Sequence, residues 1–200
     1  MLTKMVHGAM RLMVKNILER AFDYSWTLQG LGMLRMRLSD EYRLHVWHLG
    51  YAFPGASPIH DHIQWGLESF IIAGKMRNIR FTEIDPKDGV SWRDRRFMHQ
   101  KILAGEGGGP IEEPSPIWLR QQPTETYPAG TFYWQTNREI HWSIPEDGTV
   151  TIMRKLPAED GTSARVFWEW GTEWGTAEPR PATEEEIRGM TGTALSKWFL

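Results

Sequence analysis

The sequence predicts an all-β protein, a sandwich or barrel of short strands with a helix at each end. Three observations carry that expectation. Between about residues 31 and 170 the chain breaks into short runs in which apolar and polar residues alternate. Turn signals separate the runs, namely Pro54-Gly55, Ala73-Gly74, Pro86-Lys87-Asp88-Gly89, Pro128-Ala129-Gly130 and Pro145-Glu146-Asp147-Gly148. No helical periodicity recurs between them, so a parallel sheet with crossover helices is excluded.

Residues 4–22 read as an amphipathic helix. Leu12, Val14, Ile17, Leu18 and Phe22 fall near one face, and Lys15, Glu19 and Arg20 fall on the other. Met33 to Leu38 alternates, Ser39-Asp40-Glu41 turns the chain, and Tyr42 to Leu49 alternates again, which is a hairpin. Further strands are expected over 59–65, 67–73, 75–83, 116–121, 131–136, 139–144, 148–156 and 163–168. Residues 104–115 are glycine-rich. They are not a phosphate loop, because Pro110 follows the glycines and no Gly-Lys-Ser/Thr opens a helix. Residues 171–182 read as a linker, and Thr183 with Glu186 forms a capping-box pattern that starts a short C-terminal helix. The expected organisation is one domain over 1–200: helix 4–22, barrel about 31–170 and a C-terminal extension 171–200.

Composition narrows the function classes. A net charge of -2 with interleaved signs offers no footprint for a polyanion, so nucleic acid is not expected as a partner. The absence of cysteine excludes disulfides, thiolate ligands and a cysteine nucleophile together. The N-terminus lacks a clean apolar segment, and no apolar run approaches the ~20 residues that span a bilayer. The expectation is a soluble, cytoplasmic protein without a membrane partner. Eleven tryptophans supply either a rigid aromatic core or a broad aromatic pocket, which composition does not separate. Exposed barrel edges and the apolar face of the first helix are compatible with a homodimer.

The chemistry concentrates in Pro58-Ile59-His60-Asp61-His62. On a strand, residues i and i+2 share a face, so His60 and His62 aim two imidazoles at one point while Asp61 turns away. Neutral imidazole is the commonest side-chain metal ligand. The pair follows Pro54-Gly55 and precedes a run ending in Ala73-Gly74. Later, Tyr127-Pro128-Ala129-Gly130 leads to Glu139-Ile140-His141-Trp142. A third imidazole on a neighbouring strand would complete a facial triad with open positions.

This layout resembles the two motifs of the cupins. More narrowly, Ile59 to His62, the strand through Phe70 to Arg77 and the later strand with His141 are similar to the cysteine dioxygenase family. The likeness spans roughly 31–157, with an insertion between about 84 and 120. It implies a double-stranded β-helix, a jelly-roll barrel, with iron(II) bound by His60, His62 and His141. It also implies an early-strand arginine that holds the substrate carboxylate, the place occupied here by Arg35 and Arg37, which share one strand face. The implied activity is dioxygenation of a small thiol or organic acid with O2. The departures are specific. No cysteine stands near Leu67, and Thr151, Met153 and Lys155 replace the family's serine, histidine and tyrosine. That argues against cysteine itself as substrate.

Alternatives stay open on the residues alone. Three imidazoles can also hold zinc, nickel or manganese for isomerase, lyase or hydrolase chemistry, and a cupin can be a non-catalytic binding module. Glu68 could be a fourth ligand, but strand parity turns it from the histidines unless a bulge at Gly66 intervenes. His45 and His48 differ in parity, and His99 is expected at the surface of the insertion. Trp65, Trp134 and Trp142 are candidates to wall a pocket.

Overall fold

The computed structural model describes residues 2–62, 65–103, 109–157, 163–175 and 179–200. It is mostly β, with two antiparallel sheets between an N-terminal helix α1 (Leu2–Glu19) and a C-terminal helix α2 (Glu184–Trp198). This is the all-β architecture with a helix at each end that the sequence predicts.

The strands are β1 (Thr27–Gln29), β2 (Leu31–Arg37), β3 (Tyr42–Ala52), β4 (Ile59–His60), β5 (Leu67–Ala73), β6 (Lys75–Ile84) and β7 (Asp94–Leu103). They continue with β8 (Ser115–Gln121), β9 (Glu125–Pro128), β10 (Phe132–Gln135), β11 (Ile140–Pro145), β12 (Val150–Lys155), β13 (Ser163–Glu169) and β14 (Arg180–Pro181). One sheet runs β10-β5-β12-β3-β2-β1-β14, the other β11-β4-β13-β7-β8-β6-β9. In the second sheet β11 also pairs with β6, so six strands close into a ring.

Alternation along the strands sorts side chains into three cores. On the first sheet Leu34, Val46, Phe70 and Ile152 face the helices, where they meet Val14, Leu18, Met190 and Ala194. Their strand neighbours Met33, Trp47, Ile71 and Met153 face the second sheet. Inside the ring lie Ile59, Phe97, Leu119, Ile140 and Phe167, with Phe81, Ile117 and Trp142 against them.

Gly74 marks the crossing from β5 in one sheet to β6 in the other. Its φ is +81°, and a Cβ there would sit 2.5 Å from Thr149 Oγ1 and 2.8 Å from Thr149 Cα. Only glycine fits that approach. The expected capping box is present: Thr183 Oγ1 accepts from the Glu186 amide at 3.2 Å, and Glu186 accepts from the Thr183 amide at 2.8 Å.

Several expectations need correction. The stretch read as an insertion over 84–120 is part of the sheet, because β7 and β8 pair from Asp94↔Arg120 to His99↔Ser115 and supply two of the ring's six strands. Of the glycine-rich segment, 104–108 lie outside the described residues, while Pro110 bridges to Ile102. Of the linker, 176–178 lie outside them, while Gly175 pairs with Ala56 and β14 pairs with β1. The strand expected over 59–65 shortens to Ile59–His60, and 63–64 lie outside the described residues. In α1 the buried seam is Met10, Val14, Ile17, Leu18 and then Ala21, whereas Leu12 is 70% and Phe22 54% exposed. Leu12 stands two residues from Val14, about 200° round the helix. Among the described residues no helix is long and apolar enough to cross a membrane.

The seam makes a direct prediction. Leu18→Ala is expected to cost about 2–5 kcal/mol in urea unfolding, and Leu12→Ala less than about 0.5 kcal/mol. Equal losses would reject this orientation of α1.

Candidate metal centre

His60 and His141 are direct partners across β4 and β11. Each alternates with residues that the ring core claims, Ile59 on one side and Ile140 and Trp142 on the other. Burying those apolar neighbours inside the ring forces both imidazoles out of it, toward the first sheet. His62 follows just beyond β4, where its carbonyl accepts from the Arg138 amide at 2.9 Å. Ring centroids are 4.4 Å apart for His60 and His141, 4.8 Å for His60 and His62, and 5.4 Å for His62 and His141. The coordinating nitrogens all lie within 4.8 Å of one another.

Two of the three imidazoles have an assigned tautomer. His60 Nδ1 faces the Pro58 carbonyl at 3.2 Å and His141 Nδ1 faces the Glu139 carbonyl at 2.9 Å. A carbonyl only accepts, so each Nδ1 carries the proton and each Nε2 presents a lone pair. Burial pushes the His141 pKa down to about 3, with His60 adding to the effect. Burial likewise lowers His60, against the Pro58 hydrogen bond and Asp61, which raise it. His62 is pushed far below the ordinary value, first by burial, then by His60 and His141, then by Arg43 and Lys155. Neutral imidazoles are the form that binds a metal.

Asp61 faces away from the histidines, as alternation requires, and is fully buried. Its carboxylate accepts from the Arg165 amide at 2.8 Å and from Arg165 Nε at 2.7 Å, while its own amide donates to the Arg165 carbonyl at 3.0 Å. Arg165 reaches on to Glu83 at 2.6 Å. The residue between the two histidines is therefore tied to β13 by both backbone and side chain.

The three histidines open into a cavity of about 280 Å³ between the sheets. Arg35 lines it, and its Nε donates to Thr27 Oγ1 at 3.1 Å. Arg37 does not reach it. β2 ends there, and the exposed side chain sits 3.5 Å from Asp40. Glu68 shares the helix-facing side of β5 with Phe70 and Ile72, so no bulge at Gly66 turns it to the histidines. Trp65 stacks on His62, with centroids 4.2 Å apart and planes 18° apart. Trp134 is 64% exposed and Trp142 belongs to the ring core. His99 lies on β7, half-buried, hydrogen-bonded to Ser115 at 2.9 Å and stacked on Phe167. His48 turns to the other face and stacks edge-on with Tyr51.

His45, separated from His48 by parity, lines the cavity, as do Arg43, Trp47, Tyr133 and Gln135, which local pattern did not single out. The signal was present, since Arg43, His45 and Trp47 alternate along β3 and pair with β2 through Arg37↔Arg43 and Arg35↔His45. Lys155 and Met153, noted only as replacements, line it as well. Burial pushes the Tyr133 pKa up to about 12, so the phenol stays a hydrogen-bond donor.

No protein-family model and no curated protein matches the chain. Among solved structures, a hydroquinone 1,2-dioxygenase from Sphingomonas sp. TTNP3 with 4-hydroxybenzoate bound is similar over 70% of each chain, at 13% identity and a TM-score of 0.32. Backbones that overlap so loosely transfer no chemistry, so the function has to be argued from the site's own residues.

Asp61 is fully buried and Arg165 is its cation, so removing the arginine strands the carboxylate, whereas Arg165 without Asp61 keeps Glu83. Arg165→Ala is expected to lower stability by about 3–5 kcal/mol, read from urea unfolding. A loss under about 1 kcal/mol would mean the pair does not anchor this segment.

Proposed function

We propose that the protein is a non-heme iron(II) dioxygenase of the cupin kind, acting with O2 on a small anionic organic acid or thiol. The observation that supports it most is the convergence of three neutral imidazoles, with no carboxylate beside them among the described residues, on a cavity that Arg35 also lines. That donor set suits a divalent first-row metal. His60, His62 and His141 would hold it, and iron(II) bound there would supply oxygen activation and a Lewis-acid contact for substrate.

The remaining roles belong to the chain. Arg35, at the cavity wall, holds the substrate's carboxylate and fixes its orientation. The Pro58 and Glu139 carbonyls keep His60 and His141 in the tautomer that exposes Nε2. Met33, Trp47, Leu67 and Met153 exclude water from the reacting end. The likeness to the cysteine dioxygenase group supports this reading in its three histidines. Lys155 and Met153 in place of polar neighbours favour a substrate other than cysteine.

A second reading arises from the same donor set, because three histidines with an open position also make a catalytic zinc site. Metal analysis with oxygen uptake separates the two. The parent protein, supplied with iron(II), is expected to hold about one iron per chain, and His60→Ala and His141→Ala to lose it. A screen of thiols and small keto or hydroxy acids is expected to trigger oxygen uptake in the parent alone. Zinc in the parent with no uptake favours hydrolytic or isomerising chemistry. No metal after iron supply overturns the three-histidine centre.

A further inference from the structure

We infer that the cavity contains a second anion subsite, built by Arg43 and Lys155 with His45, so that the substrate carries two negative groups beyond whatever meets the metal. This deepens the proposed function and rests on it for the first group, the carboxylate at Arg35. The new site takes the second, a carboxylate or a phosphoryl oxyanion.

The strand register brings the three side chains together. Arg43 and His45 share the cavity face of β3, and Met153 pairs with Arg43 from β12. Lys155, two residues beyond Met153, lies on the same face. Both cations flank Trp65, Lys155 Nζ at 5.2 Å and the Arg43 guanidinium at 5.9 Å from the ring centroid. Trp65 stacks on His62 in turn. Arg43, Lys155 and His62 therefore sit against the same indole.

Acidic partners here go to outward-facing cations. Arg37 meets Asp40 and Arg154 meets Glu41, both outside the cavity. Among the described lining residues no aspartate or glutamate accompanies Arg43 and Lys155. Their charges are costly where they stand. Burial, then Arg35 and Arg37, push Arg43 down to about 10, and burial, then Arg43, Arg37 and Arg35, lower Lys155. An anion between them relieves that repulsion.

His45 is the independent sign that something polar belongs there. It is 5% exposed, lines the cavity, and its buried Nε2 has no hydrogen-bond partner among the described residues. An unsatisfied buried nitrogen costs free energy that a ligand atom would restore. Burial, then Arg43 and Arg35, hold its pKa at about 3, so it adds a hydrogen bond without adding charge.

The test is calorimetric titration of the metal-free full chain, at low ionic strength, with succinate, inorganic phosphate and acetate. One or both dianions are expected to bind at least about tenfold more tightly than acetate, and added salt to weaken them. Lys155→Met and Arg43→Gln, both at half-buried positions, are each expected to remove that preference while still binding iron as the parent does. Tight phosphate with weak succinate identifies a phosphoryl group, and the reverse identifies a second carboxylate. Dianion preference in a protein that takes up no iron supports the subsite and defeats the oxygenase. Equal binding of acetate and both dianions, or variants that bind like the parent, overturns the subsite even where iron and oxygen uptake are established.

Discussion

The period-two alternation of the ring strands is the constraint on which the rest depends. A strand in a closed ring has one side committed to a small apolar interior, and every second residue must point outward. Ile59 and Ile140 are committed inward. His60 and His141, their neighbours, then have no choice of direction, and their pairing across β4 and β11 brings the two rings within 4.4 Å. A one-residue slip in either strand would put an imidazole into the ring core and an isoleucine into the cavity. The apolar core thus fixes the register of the polar site.

The same sorting governs charge. Asp61 points into the ring side and would be an unpaired buried carboxylate without Arg165, which reaches it with both main-chain and side-chain groups. Removing Arg165 would leave that carboxylate unpaired in a low-dielectric surrounding. On the opposite side of the cavity, the hairpin β2–β3 and strand β12 present arginine and lysine inward. Among the described residues, the three histidines therefore stand on a wall without charged side chains and face a wall that is cationic. A ligand oriented by this field turns its anionic parts toward the cationic wall.

Much of this was legible in the sequence, and what was not has physical reasons. The hairpin, most later strands, Gly74 and the Thr183 capping box are local signals and were readable. Strand β7 was not. Its buried positions, Asp94, Phe97 and Gln100, recur every three residues instead of every two. Two of them are polar, and their burial depends on distant partners, Arg120 for Asp94 and the Glu112 carbonyl for Gln100. The histidine pair was found by strand parity although only His60 belongs to a strand. The Arg165 carbonyl extends the pairing to Asp61 and keeps the extended path through His62. Arg35 and Arg37 were equivalent by parity, and only the point where β2 ends separates them. The cationic wall was missed because it needs the register of three strands at once.

The composition of the site carries a last consequence. Three neutral donors leave a divalent metal's charge uncompensated, unlike a site with a carboxylate ligand. Among the described lining residues no carboxylate offsets it, and Arg43 and Lys155 add positive charge to the same cavity. Charges of one sign in a partly buried space repel one another. A fold keeps such an arrangement when it is stabilised elsewhere, and here the closed ring and the helix-covered face of the first sheet supply that stability through apolar burial. The cavity therefore favours an anion, which relieves that repulsion on binding.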